Sequence, residues 1–361
     1  MRIAVIGAGA VGGVIAAVAD RAGYEVMVTA RGDQLEAIRE HGLHLTGGWG
    51  EHTARPRASA TLGGDDRAAG SGRHGRGLVR DDGPDAGGGD GGRPQLAVLT
   101  VKAQDARAAL AENANALHGV PLVVVQNGLG GADAAASQLP GTPVIGGLAL
   151  FAASYLSPGE VAITTAEPTY LGRLPGTSLE AFDLAADTLG GFLEIERAPN
   201  FLGAQWTKLL VNQVNALPAI TGLSVQQTVA DDALRAVLTA SMREAVGVAR
   251  ARGIRFEPLL GLDDEVLTRL AAATPAAAED LPRAMAARMG PTPNPASTLQ
   301  SIRRGQLTEI DHLNGAVVAE AAKAGLEAPV NAALVALVHD VERTAHFLTP
   351  AEVTRATPLP H

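Results

Sequence analysis

The sequence predicts an α/β domain with a mostly parallel, doubly wound sheet, followed by an all-α domain. Three observations lead to this fold class. A buried apolar strand runs into a glycine-rich turn at the start of the chain, and strand and helix patterns then alternate to about residue 197. Beyond that point, as far as His346, apolar residues recur at the three- and four-residue spacing of helices. With 361 residues the chain is too long for one typical core. We therefore expect an α/β domain over residues 1–198 and a helical domain over residues 199–361.

The strand, turn and helix at the N-terminus have the pattern of a dinucleotide-binding turn. The chain opens MRIAVIGAGAVGG, with a predicted strand at Arg2–Ile6 and a helix to Ala22. The first glycine makes the bend, the second lets a pyrophosphate approach the backbone, and the third lets the helix pack on the strand. The alternative is an ordinary glycine-rich βα turn. The predicted cofactor-binding residues here are Gly7, Ala8, Gly9, Ala10, Val11 and Gly12.

Composition and charge exclude several classes of function. The net charge of −9 argues against a nucleic-acid or anionic-membrane partner. The chain has no cysteine, which excludes disulfides and thiolate metal sites, and its nine histidines form no ligand motif. There is no charged leader with an apolar stretch behind it and no run as long as a membrane span. We expect a cytoplasmic protein without a metal.

Arg31 is the expected determinant of cofactor choice. The second predicted strand, Glu25–Thr29, ends just before it, about 20 residues beyond the glycine turn. An acidic residue there would bind the ribose 2′-hydroxyl of NAD, whereas a guanidinium suits the 2′-phosphate of NADP. The sequence therefore favours NADP, with an ordinary exposed arginine as the alternative.

An irregular stretch interrupts the α/β pattern. Leu35–Leu45 reads as a helix leading to a short strand. Gly63–Pro94 is then mostly glycine, aspartate and arginine, and it has too few apolar residues to offset the entropy of ordering. We predict a poorly ordered, low-complexity insertion there.

Two further strands present polar residues at their carboxyl ends, where ligands lie in open α/β sheets. Leu96–Lys102 is predicted as a buried strand that ends in a lysine, and Leu122–Val125 is followed by Gln-Asn-Gly. We therefore count Lys102 and Asn127 as candidate cofactor or substrate contacts. In the alternative interpretation Lys102 is a solvated strand end and Asn127 belongs to a simple turn.

The remaining α/β elements lead to the predicted domain boundary. We expect a strand at Val144–Ala149, a turn at Leu156–Glu160 and an amphipathic helix at Ser178–Leu193. The alternation of strands and helices stops around Arg197–Asn200.

The helical half carries polar residues among apolar ones. Lys208, Asn212 and Asn215 stand at i, i+4 and i+7, which would place an ammonium and two amides on one helix face. A surface position for Lys208 is the alternative. Ser297 with Gln300 has the spacing of a capping box, and the pair of Thr308 and Asp311 resembles another helix start.

Taken together, these stretches resemble the ketopantoate reductase (2-dehydropantoate 2-reductase) family. The resemblance covers nearly the whole chain outside the predicted insertion. It rests on GAGAVG from Gly7, Arg31, TVKA around Lys102, QNG around Asn127, SPGEV around Pro158, KLLVNQVNAL from Lys208, and STLQSIRRGQLTEIDHLNG from Ser297 to Gly315.

The resemblance implies a Rossmann-type domain that binds NADPH and a helical domain that takes part in reducing the 2-keto group of ketopantoate to pantoate. It assigns the proton donor to Lys208. It assigns substrate contacts to Asn127, Asn212, Asn215, Ser297 and Glu309. The sequence departs from the family at Asn215, which stands closer to Asn212 than the second asparagine does in the best-known members, and at the insertion.

Alternatives remain open at the level of the sequence. The chain could be a member of the same family that reduces another 2-keto acid or related carbonyl, or a non-catalytic NADP-binding sensor. Lys208 and Glu309 argue against the sensor, because neither is needed merely to bind a nucleotide. The expected partner is a small-molecule 2-keto acid substrate. The oligomeric state is open, and a homodimer is among the possibilities.

Overall fold

The computed structural model describes residues 1–63 and 92–359. The chain divides into two compact units. Unit 1 comprises Met1–Val101, Asp105–Gln126 and Ala132–Arg197, and unit 2 comprises Lys102–Gln104, Asn127–Gly131 and Ala198–His361. Two short segments that the sequence places in the N-terminal domain thus pack with the helical unit. The predicted insertion at Gly63–Pro94 lies almost wholly outside the described residues.

The strands of unit 1 form two sheets. They are β1 Arg2–Ile6, β2 Glu25–Thr29, β3 Leu43–Gly47, β4 His52–Ala54, β5 Arg57–Ser59, β6 Leu96–Leu99, β7 Leu122–Val125, β8 Val144–Ala149, β9 Ala152–Ser157, β10 Glu160–Thr165, β11 Thr169–Arg173 and β12 Ile195–Arg197. The main sheet has the order β12-β11-β8-β7-β6-β1-β2-β5, and among the described residues only the β11–β8 pairing in it is antiparallel. The smaller sheet, in the order β4-β3-β10-β9, has no counterpart in the predictions made from the sequence.

Helices cover both faces of the main sheet, as its strands require. Alternate residues of a strand point to opposite faces. Ile3 and Val5 join a buried cluster with helices α1 (Ala10–Arg21) and α5 (Leu179–Gly190). Ala4 and Ile6 join another with α3 (Ala103–Leu117) and α4 (Gly131–Gln138), whereas α2 spans Gly32–His41. The doubly wound, mostly parallel fold class is confirmed.

Unit 2 consists of helices packed around one long central helix. The α-helices are α6 Phe201–Val211, α7 Ala216–Thr221, α8 Val225–Ala230, α9 Asp232–Ala251, α10 Asp264–Ala272, α11 Pro275–Ala278, α12 Asp280–Arg288, α13 Ala296–Arg303, α14 Asn314–Lys323, α15 Pro329–Thr344 and α16 Pro350–Ala356. Two 3₁₀ helices, Asn212–Asn215 and Ile310–His312, interrupt the series. The 20-residue helix α9 contributes many residues to the buried apolar cluster of the unit. The all-α character predicted for the second half is confirmed.

The strand predicted at Leu96–Lys102 ends early, at Leu99. Thr100 explains part of this, because its hydroxyl turns back and donates to the carbonyl of Gly7 at 2.7 Å. Lys102 consequently lies three residues past the strand and packs with unit 2.

In the described ranges, 1–63 and 92–359, no helix is both long enough and apolar enough to cross a membrane.

Candidate active site

The glycine turn of unit 1 shows three different uses of glycine. Gly7 has φ +101°, and a Cβ there would lie 2.6 Å from Cγ1 of Val101. A Cβ on Gly12 would lie 2.1 Å from the carbonyl oxygen of Gly7. A Cβ on Gly9 would meet nothing within 4 Å. The first and third glycines are therefore required by packing, whereas the second borders open space that an anion could enter.

The turn is held rigidly and its helix end is uncapped. The amide of Gly7 donates to Oγ1 of Thr29 at 3.0 Å, and the amide of Ala8 donates to the carbonyl of Thr29 at 2.9 Å. Helix α1 begins after Gly9 with no side-chain cap and no acidic residue in its first turn. Because the first N–H groups of a helix carry partial positive charge, this end fits a diphosphate group.

Arg31 follows strand β2, as predicted, and it is 68% exposed at the side chain. Its Nη2 donates to both carboxylate oxygens of Glu112, at 2.7 and 2.5 Å. Such an exposed ion pair is weak, so a phosphate could share the guanidinium with Glu112 or replace it.

Gln126 is a residue that the sequence analysis did not select. Its Nε2 donates to the carbonyl of Val101 at 2.8 Å, which fixes the amide beside the residue that packs on Gly7. Its Oε1 is buried and, among the residues that the structure describes, has no hydrogen-bond partner. The position at the end of β7, directly before Asn127, was the signal that could have identified it.

The segment Asn127–Gly131 packs with the helical unit through an unusually close backbone approach. Gly128 has φ +86°, and a Cβ there would lie 2.3 Å from the carbonyl oxygen of His312. The turn that follows β7 therefore packs directly against the backbone of His312. It holds Asn127 against the segment that carries Glu309.

Four of the predicted substrate-binding residues form a chain of side-chain hydrogen bonds, which we call the amide chain. Asn127 Nδ2 donates to Glu309 Oε2 at 3.2 Å. Asn212 Nδ2 donates to Asn127 Oδ1 at 3.5 Å, and Asn215 Nδ2 donates to Asn212 Oδ1 at 3.4 Å. These distances exceed the 2.9–3.0 Å typical of N–H···O bonds, so a ligand could displace the bonds at small cost. The sequence placed Asn127 in the N-terminal domain, whereas the structure groups it in unit 2 with Asn212, Asn215 and Glu309.

The predicted single helix face through residues 208, 212 and 215 needs one correction. Helix α6 ends at Val211, and Asn212–Asn215 forms a 3₁₀ helix. With three residues per turn, side chains at i and i+3 eclipse one another. Asn212 and Asn215 therefore share one side even though the second asparagine follows after only three positions.

Lys208 lies on the last turn of α6, one helical turn before Asn212. The residue is half-buried, whereas its neighbours Thr207 and Leu209 are fully buried. A purely solvated surface position for this lysine is therefore not what the structure shows.

The other predicted residues of the site are more dispersed. Lys102 Nζ donates to the carbonyl of Leu307 at 2.6 Å and to Oγ of Ser301 at 3.3 Å. Ser297 stands one turn before Ser301 on α13 and is exposed, and no hydrogen bond among the described residues joins it to the amide chain. The sequence did not single out Ser301, whose partner lies about 200 positions away along the chain.

The two helix starts suggested by spacing are not formed as expected. Helix α13 begins after Pro295 with no side-chain cap, so Ser297 and Gln300 make no capping box. Instead, Asn294 Oδ1 accepts from the amide of Ala296 at 2.9 Å. At the second predicted helix start, Thr308 Oγ1 accepts a hydrogen bond from the backbone N–H of Ile310, two residues later, at 3.3 Å. The element that begins there is the short 3₁₀ helix Ile310–His312.

A histidine holds the segment on which Glu309 lies. His339 of α15 contacts Asp311 Oδ1 through Nε2 at 3.0 Å and Glu342 Oε2 through Nδ1 at 2.7 Å. Glu342 also accepts from the amide of Thr308 at 2.7 Å. The hydrogen bond to Glu342 raises the pKa of His339 above its usual 6.5 despite some burial, and Asp311 adds to the effect. Burial alone would raise the pKa of Glu342, but the bonds from Thr308 and His339 together lower it.

No group of three or more potential metal-ligating side chains occurs in the part of the chain that the structure describes. The candidate site residues in that part are organic donors and acceptors: amides and an ammonium, which suit an anion, and a carboxylate, which accepts from a donor group.

Comparisons with known proteins identify the family to which the chain belongs. Residues 3–176 match the family model described as ketopantoate reductase PanE/ApbA, and residues 200–342 match the model of its C-terminal domain.

Two curated relatives are both named 2-dehydropantoate 2-reductase. The chain is 27% identical to that of Pyrococcus horikoshii, over 94% of this chain and 96% of the relative. It is 28% identical to that of Halobacterium salinarum, over 95% and 99%.

Solved structures agree over nearly the whole length. The PanE/ApbA family ketopantoate reductase from Ralstonia eutropha has a TM-score of 0.74 at 26% identity, covering 96% of this chain and 100% of that one. A D-mandelate dehydrogenase solved with NADH and anilino(oxo)acetate has a TM-score of 0.76 at 21% identity, covering 95% and 99%, which is a likeness of fold. The chain therefore belongs to the ketopantoate reductase PanE/ApbA family of oxidoreductases.

Proposed function

We propose that this protein reduces the 2-keto group of 2-dehydropantoate (ketopantoate) to give pantoate, with NADPH as the reductant, in the biosynthesis of pantothenate and coenzyme A. The observation that carries the proposal is the amide chain, which runs from Glu309 to Asn215 and passes Asn212, one helical turn after half-buried Lys208. The proposal includes a cytoplasmic location. It leaves the oligomeric state undecided, with a homodimer as one of the alternatives.

The glycine turn of unit 1 fits a dinucleotide, because Gly9 borders open space and the end of α1 is uncapped. A nicotinamide cofactor bound there would supply the hydride, and the protein's own residues bind and polarise the substrate. Arg31 supports NADPH over NADH, since its guanidinium is accessible to a 2′-phosphate. Lys102 stays a candidate cofactor contact, with its ammonium bonded to Leu307 and Ser301.

Lys208 is proposed as the proton donor. Hydride addition to a ketone carbon leaves negative charge on its oxygen, and the charge must be neutralised as it forms. The Lys208 ammonium can give a proton to that oxygen and later regain one from solvent. Its partly buried position strengthens the attraction relative to a fully solvated lysine.

The amide chain is proposed to hold the keto acid. Asparagine nitrogens carry two N–H donors each, which suits the carboxylate and keto oxygens. An ionised Glu309 is only an acceptor, and next to an anionic substrate it needs a donor to bind. Ketopantoate offers such a donor in its hydroxyl group. Ser297 is an exposed hydroxyl on α13 and is proposed as a further contact to the carboxylate.

Reduction of another 2-keto acid is the second candidate. The reason to keep it is the short spacing of Asn212 and Asn215, which alters the part of the site that faces the substrate. A non-catalytic NADP sensor is disfavoured, because a nucleotide alone would need neither Lys208 nor Glu309.

The test is a panel of keto acids assayed by the loss of NADPH absorbance. Ketopantoate should be turned over at least about tenfold more efficiently than trimethylpyruvate, which is ketopantoate without its hydroxyl group, because the acceptor at Glu309 would be left unpaired. Glu309→Ala should raise the KM for ketopantoate and leave that for trimethylpyruvate nearly unchanged. Glu327→Ala, a change at an exposed glutamate, is the matched control.

Equal kcat/KM for the two substrates in the parent enzyme would contradict the assignment of ketopantoate and favour another keto acid. Absence of turnover with every keto acid in the panel would contradict the reductase proposal itself.

A further inference from the structure

Gln213 lies between the two asparagines of the amide chain but is bonded elsewhere. It belongs to the 3₁₀ helix Asn212–Asn215 and is fully buried, with 0% exposure. Since Asn212 and Asn215 eclipse one another in such a helix, Gln213 projects about a third of a turn away from them. The same short segment therefore has two asparagines in the site and one glutamine in the interior of unit 2.

The side-chain oxygen of Gln213 is the meeting point of two buried donors. Ser241 Oγ of α9 donates to it at 2.7 Å, and Asn314 Nδ2 of α14 donates to it at 2.8 Å. Ser241 and Asn314 are both 0% exposed. Hydrogen bonds of this length between fully buried groups fix the position of all three side chains.

The far end of this buried network is anchored at the start of α15. Asn314 Nδ2 also donates to Asn331 Oδ1 at 3.0 Å, and Asn331 Nδ2 donates to Glu244 Oε2 at 2.8 Å. The Glu244 carboxylate accepts from the backbone amides of Val330 and Asn331, both at 2.9 Å. A carboxylate at the positive end of a helix is a strong anchor, so the network joins α9, α14 and α15 to the 3₁₀ helix.

Both ends of the amide chain are attached to this network through the backbone. Asn314 begins α14, directly after the 3₁₀ helix that follows Glu309, and Gln213 lies between Asn212 and Asn215. The bond from Asn314 to Gln213 therefore ties together the two segments that carry Glu309, Asn212 and Asn215, whereas the fourth member of the amide chain, Asn127, follows β7. Bonds within the amide chain are 3.2–3.5 Å long, whereas that bond is 2.8 Å. The shorter, buried bond is the one that can set the geometry.

We infer that Gln213 and Asn314 are positioning residues, which hold Asn212, Asn215 and Glu309 at the spacing that the keto acid requires. The inference rests on the proposed function. A purely stabilising role fits less well, because Asn314 Oδ1 is buried and has no partner among the described residues. Apolar residues of similar volume would be at least as stable as a buried polar network with an unpaired acceptor, so stability alone does not account for this network.

The test separates positioning from stability by comparing a single and a triple variant. Gln213→Met leaves two buried donors unpaired, so it should both lower the unfolding midpoint and raise the KM for ketopantoate by about tenfold or more, with a smaller effect on kcat. Combining Gln213→Met with Ser241→Ala and Asn314→Leu removes the two donors that Gln213→Met leaves unpaired, although Asn331 Oδ1 then loses the bond from Asn314. The triple variant should regain part of the lost stability, and its KM should stay high.

Two further variants complete the design. Gln213→Glu keeps an acceptor and a similar shape, and it should raise KM less than Gln213→Met. Thr239→Val is the matched control, because Thr239 is a buried α9 residue that donates only within its own helix, to the carbonyl of Arg235 at 2.8 Å. It should lower stability and leave KM unchanged.

The outcomes are distinct. A triple variant whose KM returns to the parental value together with its stability would overturn the positioning inference and leave the proposed function intact. So would a Thr239→Val variant that raises KM as much as Gln213→Met, since KM would then follow stability alone. A folded parent enzyme that reduces no keto acid contradicts the proposed function and the inference with it.

Discussion

Lys208 is a charged residue at a half-buried position of a largely apolar helix. Burying a charge costs free energy unless the charge is paired or contacts a ligand. If its ammonium protonates the developing alkoxide, its contribution exists mainly in the transition state. Lys208→Ala should therefore lower kcat by about 10² or more, with little change in the dissociation constant of NADPH. Steady-state kinetics and a fluorescence titration of the cofactor measure the two effects.

Lys323→Ala is the matched control, because Lys323 is a lysine of α14 that is 61% exposed and paired with Glu320. It should leave kcat unchanged. A kcat for Lys208→Ala within a few-fold of the parent would remove Lys208 from the mechanism, and a joint loss of NADPH binding would indicate a structural role instead.

At the scale of single residues, the sequence was informative where a residue stands next to a recognisable element. Asn127 follows a strand, and Lys208 with Asn212 follows helical spacing, so their place in a site could be predicted. Ser301 and Gln213 could not be predicted, because their partners Lys102 and Asn314 lie 199 and 101 positions away. No local pattern contains such a separation.

At the scale of elements, the 3₁₀ helix Asn212–Asn215 shows why periodicity alone was insufficient. A continuous α-helix and a helix with one 3₁₀ turn bury almost the same residues, so the apolar pattern does not distinguish them. The difference affects the site, since side chains three residues apart eclipse one another in a 3₁₀ turn but are offset by about 60° in an α-helix. The three-residue separation of Asn212 and Asn215 was the sequence signal available for the 3₁₀ turn.

The histidine contact to the segment Thr308–Asp311 predicts a pH dependence. When protonated, His339 can donate to Asp311 and Glu342 at once, whereas neutral imidazole has one N–H and turns a lone pair toward the other carboxylate. Because its folded pKa is raised above 6.5, its stabilising contribution is fully present below about pH 6.5 and is lost as the pH rises through the raised value. We expect the KM for ketopantoate to rise over the same range, as Glu309 is held less firmly.

His339→Gln should abolish this pH-dependent part of both the unfolding free energy and KM, measured by denaturant titration and kinetics across the range. His41→Gln changes an exposed histidine of unit 1 and should retain the parental pH profile. An identical profile for His339→Gln and the parent would show that the imidazole does not control the segment.

At the scale of the whole molecule, the fold class followed from the sequence because parallel strands buried on both faces are nearly continuous apolar runs. The smaller sheet did not, since its strands are partly exposed and lack a continuous apolar run: β9, for instance, has no buried residue. The assignment of Lys102–Gln104 and Asn127–Gly131 to unit 2 was also beyond reach. It depends on tertiary contacts such as that of Gly128 with His312.

The division into two units predicts that cofactor choice and substrate affinity can be altered independently. Arg31 lies in unit 1, with Glu112 as its ion-pair partner, and Glu309 lies in unit 2. NADPH should bind the parent more tightly than NADH, and Arg31→Asp should remove or reverse that preference through loss of the partner of the 2′-phosphate and repulsion from the new carboxylate, by about tenfold or more. Glu112→Gln, which keeps the guanidinium, should preserve the preference.

In the double variant Arg31→Asp with Glu309→Ala, the changes in NADPH affinity and in ketopantoate KM should each equal those of the single variants, because the two residues share no hydrogen-bond partner among those that the structure describes. Fluorescence titration with both cofactors and kinetics at saturating cofactor give the two quantities separately. Equal affinity of the parent for NADPH and NADH would refute the role of Arg31. A ketopantoate KM that changes with Arg31→Asp alone, at saturating cofactor, would show instead that the guanidinium acts on the keto acid as well, and the assignment of one task to each unit would then be wrong.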